Sequence, residues 1–157
     1  MKYLKYFSIL LLLTFVVIQF IKPDKNNHGY QSVALFEKET VPTKQIAIIL
    51  KNNCYDCHSD QTNYPWYNNI SPINYWLEEH IKDGKKHLNF SKWSSYSLKK
   101  KEHKMDELHE EVEEGEMPLN SYTWTHAEAN LTPEQVVEIV TWGKKVQADY
   151  KQQMITK

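Results

Sequence analysis

The residues best suited to chemistry in this 157-residue chain form one short run, Cys54-Tyr55-Asp56-Cys57-His58. The two cysteines are the only ones in the sequence, and a histidine directly follows the second. Thiolates and imidazoles bind transition metals, and a thiolate is also a nucleophile. The pair could therefore bind each other, a metal ion or a larger group.

Three possible uses of this run, a disulfide, a redox pair and a zinc site, fit the rest of the sequence poorly. A disulfide between Cys54 and Cys57 would close a very short ring and give His58 no role. A thioredoxin-like redox pair needs a βαβ pattern, which the sequence lacks. A zinc site normally takes a second pair of ligands from far along the chain, and there is no second cysteine pair.

The pattern Cys-x-x-Cys-His is typical of c-type haem attachment. The two thiols add to the two vinyl groups of the porphyrin, and the histidine becomes the proximal ligand of the iron. The sequence therefore predicts one covalent haem c, held by Cys54 and Cys57 through sulfur and by His58 through its imidazole.

A sixth ligand of a c-type haem is usually a methionine or a histidine. Met117 lies in the segment "GEMPL", where glycine lets the chain turn and proline stiffens it. We therefore expect Met117 to be the distal ligand. His80, on a predicted helix, and His126, in a predicted loop, are the alternatives.

Helical periodicity dominates the chain after residue 40, with no competing β-strand alternation. The sequence predicts an all-α domain of about four helices joined by long aromatic loops, which are uncommon unless they surround a ligand. The helices are expected at residues 42–53, 71–84, 97–114 and from 132 onward.

Cap residues set several of these boundaries. Ser71 is the expected N-cap of the second helix, and Gly84 its terminator. Thr132 and Gln135 form a capping box at the start of the last helix.

The helical spacing also predicts which side chains are buried. Trp76, Leu77 and His80 are expected on the inner face of the second helix. Met105 is expected in the core, whereas His103 and His109 are expected to be solvated on a charged helix.

The first 22 residues are different in kind, because Lys2 and Lys5 precede a long apolar run that ends at Lys22 and Pro23. A helix over residues 3–21 would be roughly 28 Å long at ~1.5 Å per residue, close to the ~30 Å of a bilayer core. We expect a retained membrane anchor, with a cleaved signal peptide as the alternative. Either would export the rest of the chain to the periplasmic side of the cytoplasmic membrane.

The predicted domain organisation follows from this. Residues 23–40, which include His28, are polar and are expected to form a tether. The haem-binding domain is expected over 41–150, with a tail over 151–157. Net charge is −1 and all 19 basic residues are lysines, so neither a nucleic-acid partner nor a guanidinium clamp is indicated.

Three blocks carry a resemblance to a known family: "ILKNNCYDCHSDQTNYPWY", "SPINYWLEEHIKDGKKHLNFSKW" and "GEMPLNSYTWTHAEANLT". They resemble the bacterial haem-binding-domain family of small exported, cytochrome-c-like proteins, over about residues 40–145. The resemblance implies a cytochrome-c-like fold, the same four haem-binding residues, and a haem lined or covered by "YPWY", "LNFSKW" and "YT". Where the family often has an arginine, this chain has Lys85 and Lys86, so a lysine would meet a propionate here.

Electron transfer to a redox partner protein is the favoured function, because an iron with both axial ligands has no open position for substrate. A haem enzyme or sensor for peroxide or a gas is the alternative, with a displaceable sixth ligand. A non-redox domain stapled by haem is a third hypothesis.

Overall fold

The computed structural model describes residues 2–27 and 29–156, and in these ranges the chain is all-helical. His28, assigned to the tether, lies outside the described residues. Eight α-helices occur in the described part: α1 Lys2–Ile18, α2 Ala34–Thr40, α3 Lys44–Asn53, α4 Tyr55–His58, α5 Ile73–His87, α6 Leu98–Glu113, α7 Asn120–Thr123 and α8 Pro133–Ile155. Short 3₁₀ turns lie at Tyr30–Val33, Trp66–Asn69, Phe90–Ser95 and Ala127–Ala129. The described residues contain no strand, so the all-α prediction is confirmed.

The four predicted helices correspond to α3, α5, α6 and α8, and the start of α8 is formed as predicted. The Thr132 hydroxyl accepts from the Gln135 amide at 3.3 Å, and the Gln135 side chain accepts from the Thr132 amide at 2.9 Å. Ser71, by contrast, does not cap α5. Its amide donates to Gln19 Oε1 at 3.0 Å, so the residue joins two distant segments instead.

The most extensive helix pair is α6 against α8, and a glycine lets them approach. A Cβ at Gly143 would lie only 3.0 Å from the Cβ of His109. His109 is 6% exposed, and its Nε2 lies 3.3 Å from Gln147 Oε1. The prediction that His109 is solvated was wrong, because α8 covers this side of an otherwise charged helix. Met105 is fully buried, as predicted.

The second half of the predicted tether is part of the core. Phe36 in α2 is fully buried, with its ring centroid 4.5 Å from Phe90 and 5.0 Å from Trp93. From the same helix, Glu39 accepts from Lys101 at 2.7 Å and from Tyr150 at 2.8 Å. Only one face of α2 is buried, so its composition stays polar and gave no warning that it packs.

Helix α1 contributes nothing to this core, because none of its residues is buried. In the described part of the chain, no helix combines the length and the apolar character needed to cross a bilayer. The membrane anchor stays a prediction.

The packing of α2 predicts that substitutions at two neighbouring residues affect the free energy of unfolding very differently. Phe36→Ala should lower the free energy of unfolding by ~3–5 kcal/mol, because it leaves a cavity among aromatic rings. Leu35→Ala, at a side chain that is 58% exposed, should change it by no more than ~0.5 kcal/mol. Urea unfolding followed by circular dichroism measures both. Equal, small effects would mean that α2 does not belong to the core.

Candidate cofactor site

The two cysteines and the histidine lie on one turn between α3 and α5. Cys54 ends α3, with its amide donating to Leu50 O at 2.9 Å. The amides of Cys57 and His58 both point back to Cys54 O, at 3.3 and 2.9 Å. The sequence motif is thus one compact helical turn, which places its three reactive side chains close together.

Helix α5 crosses this turn at Gly84. A Cβ at this position would lie 2.8 Å from the Cys57 carbonyl oxygen and 3.1 Å from the Cys57 Cβ. The prediction that Gly84 terminates the helix was wrong, because α5 continues to His87. Its glycine is required by close packing, and not by a turn.

The same crossing fixes the imidazole of His58. Its Nδ1 lies 3.0 Å from Gly84 O and 3.1 Å from Leu88 O. Both partners are carbonyls and only accept, so Nδ1 carries the hydrogen and Nε2 keeps its lone pair. Burial lowers the pKa of His58, against the smaller opposing effect of these hydrogen bonds. The ring is therefore held neutral, in the state that binds a metal through Nε2.

Both thiols are free and protonated. Burial raises the pKa of Cys54 to about 12, and the neighbouring Cys57 adds to the shift. Burial, with a contribution from Asp56, raises the pKa of Cys57 to about 11. Disulfide exchange requires a thiolate, so this environment does not favour a redox-active cysteine pair.

A cavity of about 490 Å³ opens beside this turn. Its volume lies in the range of pockets that hold small molecules and cofactors. Cys54, Cys57, His58 and Met117 all line it, so the four residues predicted to bind haem face one space. Much of the remaining wall is apolar, formed by Ile49, Leu88, Phe90, Leu108, Val112, Leu131 and Ile139.

Met117 reaches the cavity through a turn at the end of α6. Gly115 has a φ of +77°, which an L side chain rarely adopts. The amides of Glu116 and Met117 then both donate to Glu111 O, at 2.9 and 3.1 Å. The Met117–Pro118 peptide bond is cis. Gly115 thus has the role that the sequence predicted for it.

Of the two histidines considered as alternatives to Met117, only one lines the cavity. His80 lines the cavity, with its Nδ1 2.9 Å from Trp76 O. Trp76 itself is 48% exposed, so its predicted inward position was wrong. The buried face of α5 contains Leu77 and Ile81 instead. His126 is not among the lining residues, and it stacks on Tyr122 with ring centroids 4.3 Å apart.

The structure also corrects the expected surroundings of the ligand. Residues 64–67 ("YPWY") are not among those lining the cavity, whereas Phe90 and Tyr122 are. Lys85 bonds to Asp60 and to Asn26 and does not face the cavity. Among the described lining residues the one lysine is Lys104.

Sequence reasoning missed His87, which lines the cavity, whereas Tyr122 lies in the "YT" segment that the resemblance implied. His87 follows His80 by seven residues, two helical turns, and this spacing could have placed both on one face. The Tyr122 hydroxyl donates to Asp56 Oδ2 at 2.8 Å and so links α7 to the cysteine turn. A contact between residues so distant in sequence leaves no local signal.

A zinc site gains no support. Within the ranges that the structure describes, no cluster of three or more His, Cys, Asp or Glu side chains could hold a metal ion.

Comparison with known families gives one match. A family model described as a haem-binding domain matches residues 13–145. No curated protein and no solved structure matches the chain.

The close crossing at Gly84 predicts that any side chain at this position destabilises the protein. Gly84→Ala should cost ~1–3 kcal/mol of unfolding free energy, because the new methyl group meets a backbone carbonyl. The cavity should also take up less haem, because His58 loses its fixed orientation when α5 shifts. Thermal unfolding and the ratio of Soret to protein absorbance measure the two effects.

Lys86→Ala is the matched control, since that side chain lies on the same helix and is 77% exposed. It should leave both quantities unchanged. A Gly84→Ala protein that behaves like this control would show that the crossing does not constrain the site.

Proposed function

The chain belongs to the haem-binding-domain family, and from this premise we propose that it binds one haem c covalently and transfers electrons at the outer face of the cytoplasmic membrane. The observation that carries the proposal is the convergence of Cys54, Cys57, His58 and Met117 on one cavity. Two thiols on one helical turn, a neutral imidazole and a thioether are the set of groups that a c-type haem requires.

The cavity fits such a group chemically. Its size suits a cofactor, and its apolar wall suits the porphyrin face. Cys54 and Cys57 would hold the ring through sulfur, and His58 and Met117 would bind the iron. When bound, haem supplies one-electron chemistry, with a potential that the protein tunes through ligands and surroundings.

The chain's own residues have three tasks in this proposal. The carbonyls of Gly84 and Leu88 orient His58, and a hydrogen-bonded ligand is also a more basic one. The thioether of Met117 favours a high reduction potential. Phe90, Leu108 and Ile139 keep water from the wall, and the resulting low dielectric also affects the potential.

A haem enzyme or sensor is the alternative, and the position of His80 is the observation that favours it. His80 lines the same cavity, so it could serve as an acid or base if Met117 left the iron. Its Nδ1 is engaged with the Trp76 carbonyl, which leaves Nε2 for such a role.

The location of the protein also belongs to this proposal. Helix α1 exposes one large apolar side chain after another, and no part of it is buried. Apolar surface of this extent is normally covered by lipid or protein. We therefore place residues 1–22 in the membrane as an anchor, with a cleaved signal peptide as the alternative, which would release the same domain into the periplasm.

A redox partner protein remains part of the proposal, and the acidic end of α6 is a candidate docking surface near Met117. Part of its charge is neutralised within the protein, since Glu107 pairs with Lys104 and Glu113 with Lys144. Glu110, Glu111, Glu114 and Glu116 are exposed and would face a basic partner.

Covalent attachment is tested by intact-mass measurement of the chain expressed with a cytochrome c maturation system. The expected mass exceeds that of the polypeptide by one haem, and the colour should stay with the protein in acidified acetone. Replacing both Cys54 and Cys57 by Ala should abolish the added mass. Colourless protein with both thiols open to alkylation would contradict the proposal.

The distal ligand is tested by Met117→Ala, with His80→Ala as the matched variant. Loss of the thioether should convert low-spin iron to high-spin and allow the reduced protein to bind carbon monoxide readily. His80→Ala should leave the visible spectrum unchanged. If instead His80→Ala changes the spin state and Met117→Ala does not, His80 is the sixth ligand. If the unaltered protein binds carbon monoxide readily, the enzyme or sensor alternative is favoured.

A further inference from the structure

The chain that leaves α1 is fastened to the haem-binding part at once. Gln19 Nε2 donates to Ser71 O at 2.9 Å, and the Ser71 amide donates back to Gln19 Oε1 at 3.0 Å. The Tyr75 hydroxyl donates to Ile21 O at 3.1 Å, and Lys22 Nζ donates to Asn69 O at 2.5 Å. The end of α1 is therefore held against the loop that precedes α5 and the first turn of that helix.

The fastening continues as far as the cysteine turn. Asn26 Nδ2 donates to Ser59 O at 2.7 Å and to the Thr62 hydroxyl at 2.9 Å. The Asn26 side chain also accepts from Lys85 at 2.6 Å. Ser59 directly follows His58, so hydrogen bonds run from the end of α1 to the haem motif. Residues 19–27, which span the end of the predicted anchor and the start of the predicted tether, thus form an ordered strap.

Beside this strap the protein exposes several large apolar side chains. Trp66 is 76% exposed and Phe20 is 83% exposed, and both lie within a few residues of the hydrogen bonds described above. We define the juxtamembrane face as the exposed residues Phe20, Ile21, Trp66, Ile73, Tyr75 and Trp76. Tryptophan and tyrosine are enriched at membrane–water interfaces, because their rings combine an apolar body with a polar atom.

We infer that the juxtamembrane face rests on the headgroup region of the lipid bilayer, so that the membrane contacts the haem-binding domain itself as well as α1. This inference rests on the anchoring role of residues 1–22 in the proposed function. The exposed apolar surface of α1 continues through Phe20 and Ile21 onto residues that the strap holds in place. Lipid that covers α1 reaches these side chains without any further partner.

The face has a direct link to the haem cavity. The rings of Trp76 and His80 lie 4.2 Å apart, and His80 lines the cavity. One turn of α5 thus separates the proposed lipid contact from the cavity wall. A domain resting on this face would hold its haem at a fixed height and orientation above the bilayer.

The test uses the full holo-protein in vesicles of phosphatidylethanolamine and phosphatidylglycerol that contain a phospholipid with a photoreactive diazirine near its headgroup. After illumination, mass spectrometry locates the label along the chain. Residues 66–76 should carry several-fold more label than the control positions Leu35 and Val137, which are exposed to a similar degree but lie outside the juxtamembrane face.

Labelling and flotation together distinguish a failure of the lipid contact from a failure of the membrane anchor. Vesicle flotation with equal labelling of residues 66–76 and the two control positions would overturn the lipid contact while leaving the anchor intact. Absence of flotation would overturn both. The intact mass of the same sample reports haem attachment independently, so a failure there would count against the haem proposal alone.

Discussion

The close crossing of α5 over the Cys57 carbonyl is the constraint on which the site depends. A glycine inside a helix costs ~0.5–1 kcal/mol relative to alanine, and the fold accepts this cost because no Cβ fits at position 84. The approach brings the carbonyls of Gly84, in α5, and Leu88, directly after it, within reach of Nδ1 of His58. It also directs the side chains of His80 and His87 to the same cavity. The absence of a side chain at position 84 therefore determines the tautomer of the His58 imidazole and the shape of the part of the cavity wall that α5 forms.

Burial around this crossing has two chemical consequences. The Phe90 ring lies 6.4 Å from that of His58 and 4.5 Å from that of Phe36, so the aromatic core extends to the imidazole. Removal of water disfavours charge of either sign. It therefore lowers the pKa of the imidazole and raises the pKa of both thiols. The site thus holds a neutral ligand beside two neutral thiols. In the proposed attachment each S–H adds across a vinyl double bond, a step that consumes no oxidant and requires no disulfide to be broken.

The sequence was a good guide wherever the signal is local. The capping box at Thr132, for example, depends on two residues three positions apart. Met117 could be placed because Gly115 and Pro118 restrict the chain on either side. Gly84 misled us because a glycine at a helix end and a glycine under a crossing backbone look identical in one sequence. His109 was misjudged for a related reason: its own helix is charged, and only the partner helix α8 determines that it is buried.

The N-terminal forty residues show most clearly what composition cannot reveal. Residues 23–40 were expected to be a tether, yet the buried ring of Phe36 belongs to the core. The strap of residues 19–27 combines the start of this segment with the end of the predicted anchor. The strap needs only backbone carbonyls and a few amide and hydroxyl side chains, and such residues are equally common in disordered linkers. A flexible linker would let a haem sample many distances from the membrane, and electron transfer weakens steeply with distance. An ordered strap removes that freedom at the cost of chain entropy. That cost is easiest to understand if the position of the haem relative to the bilayer matters for its partner.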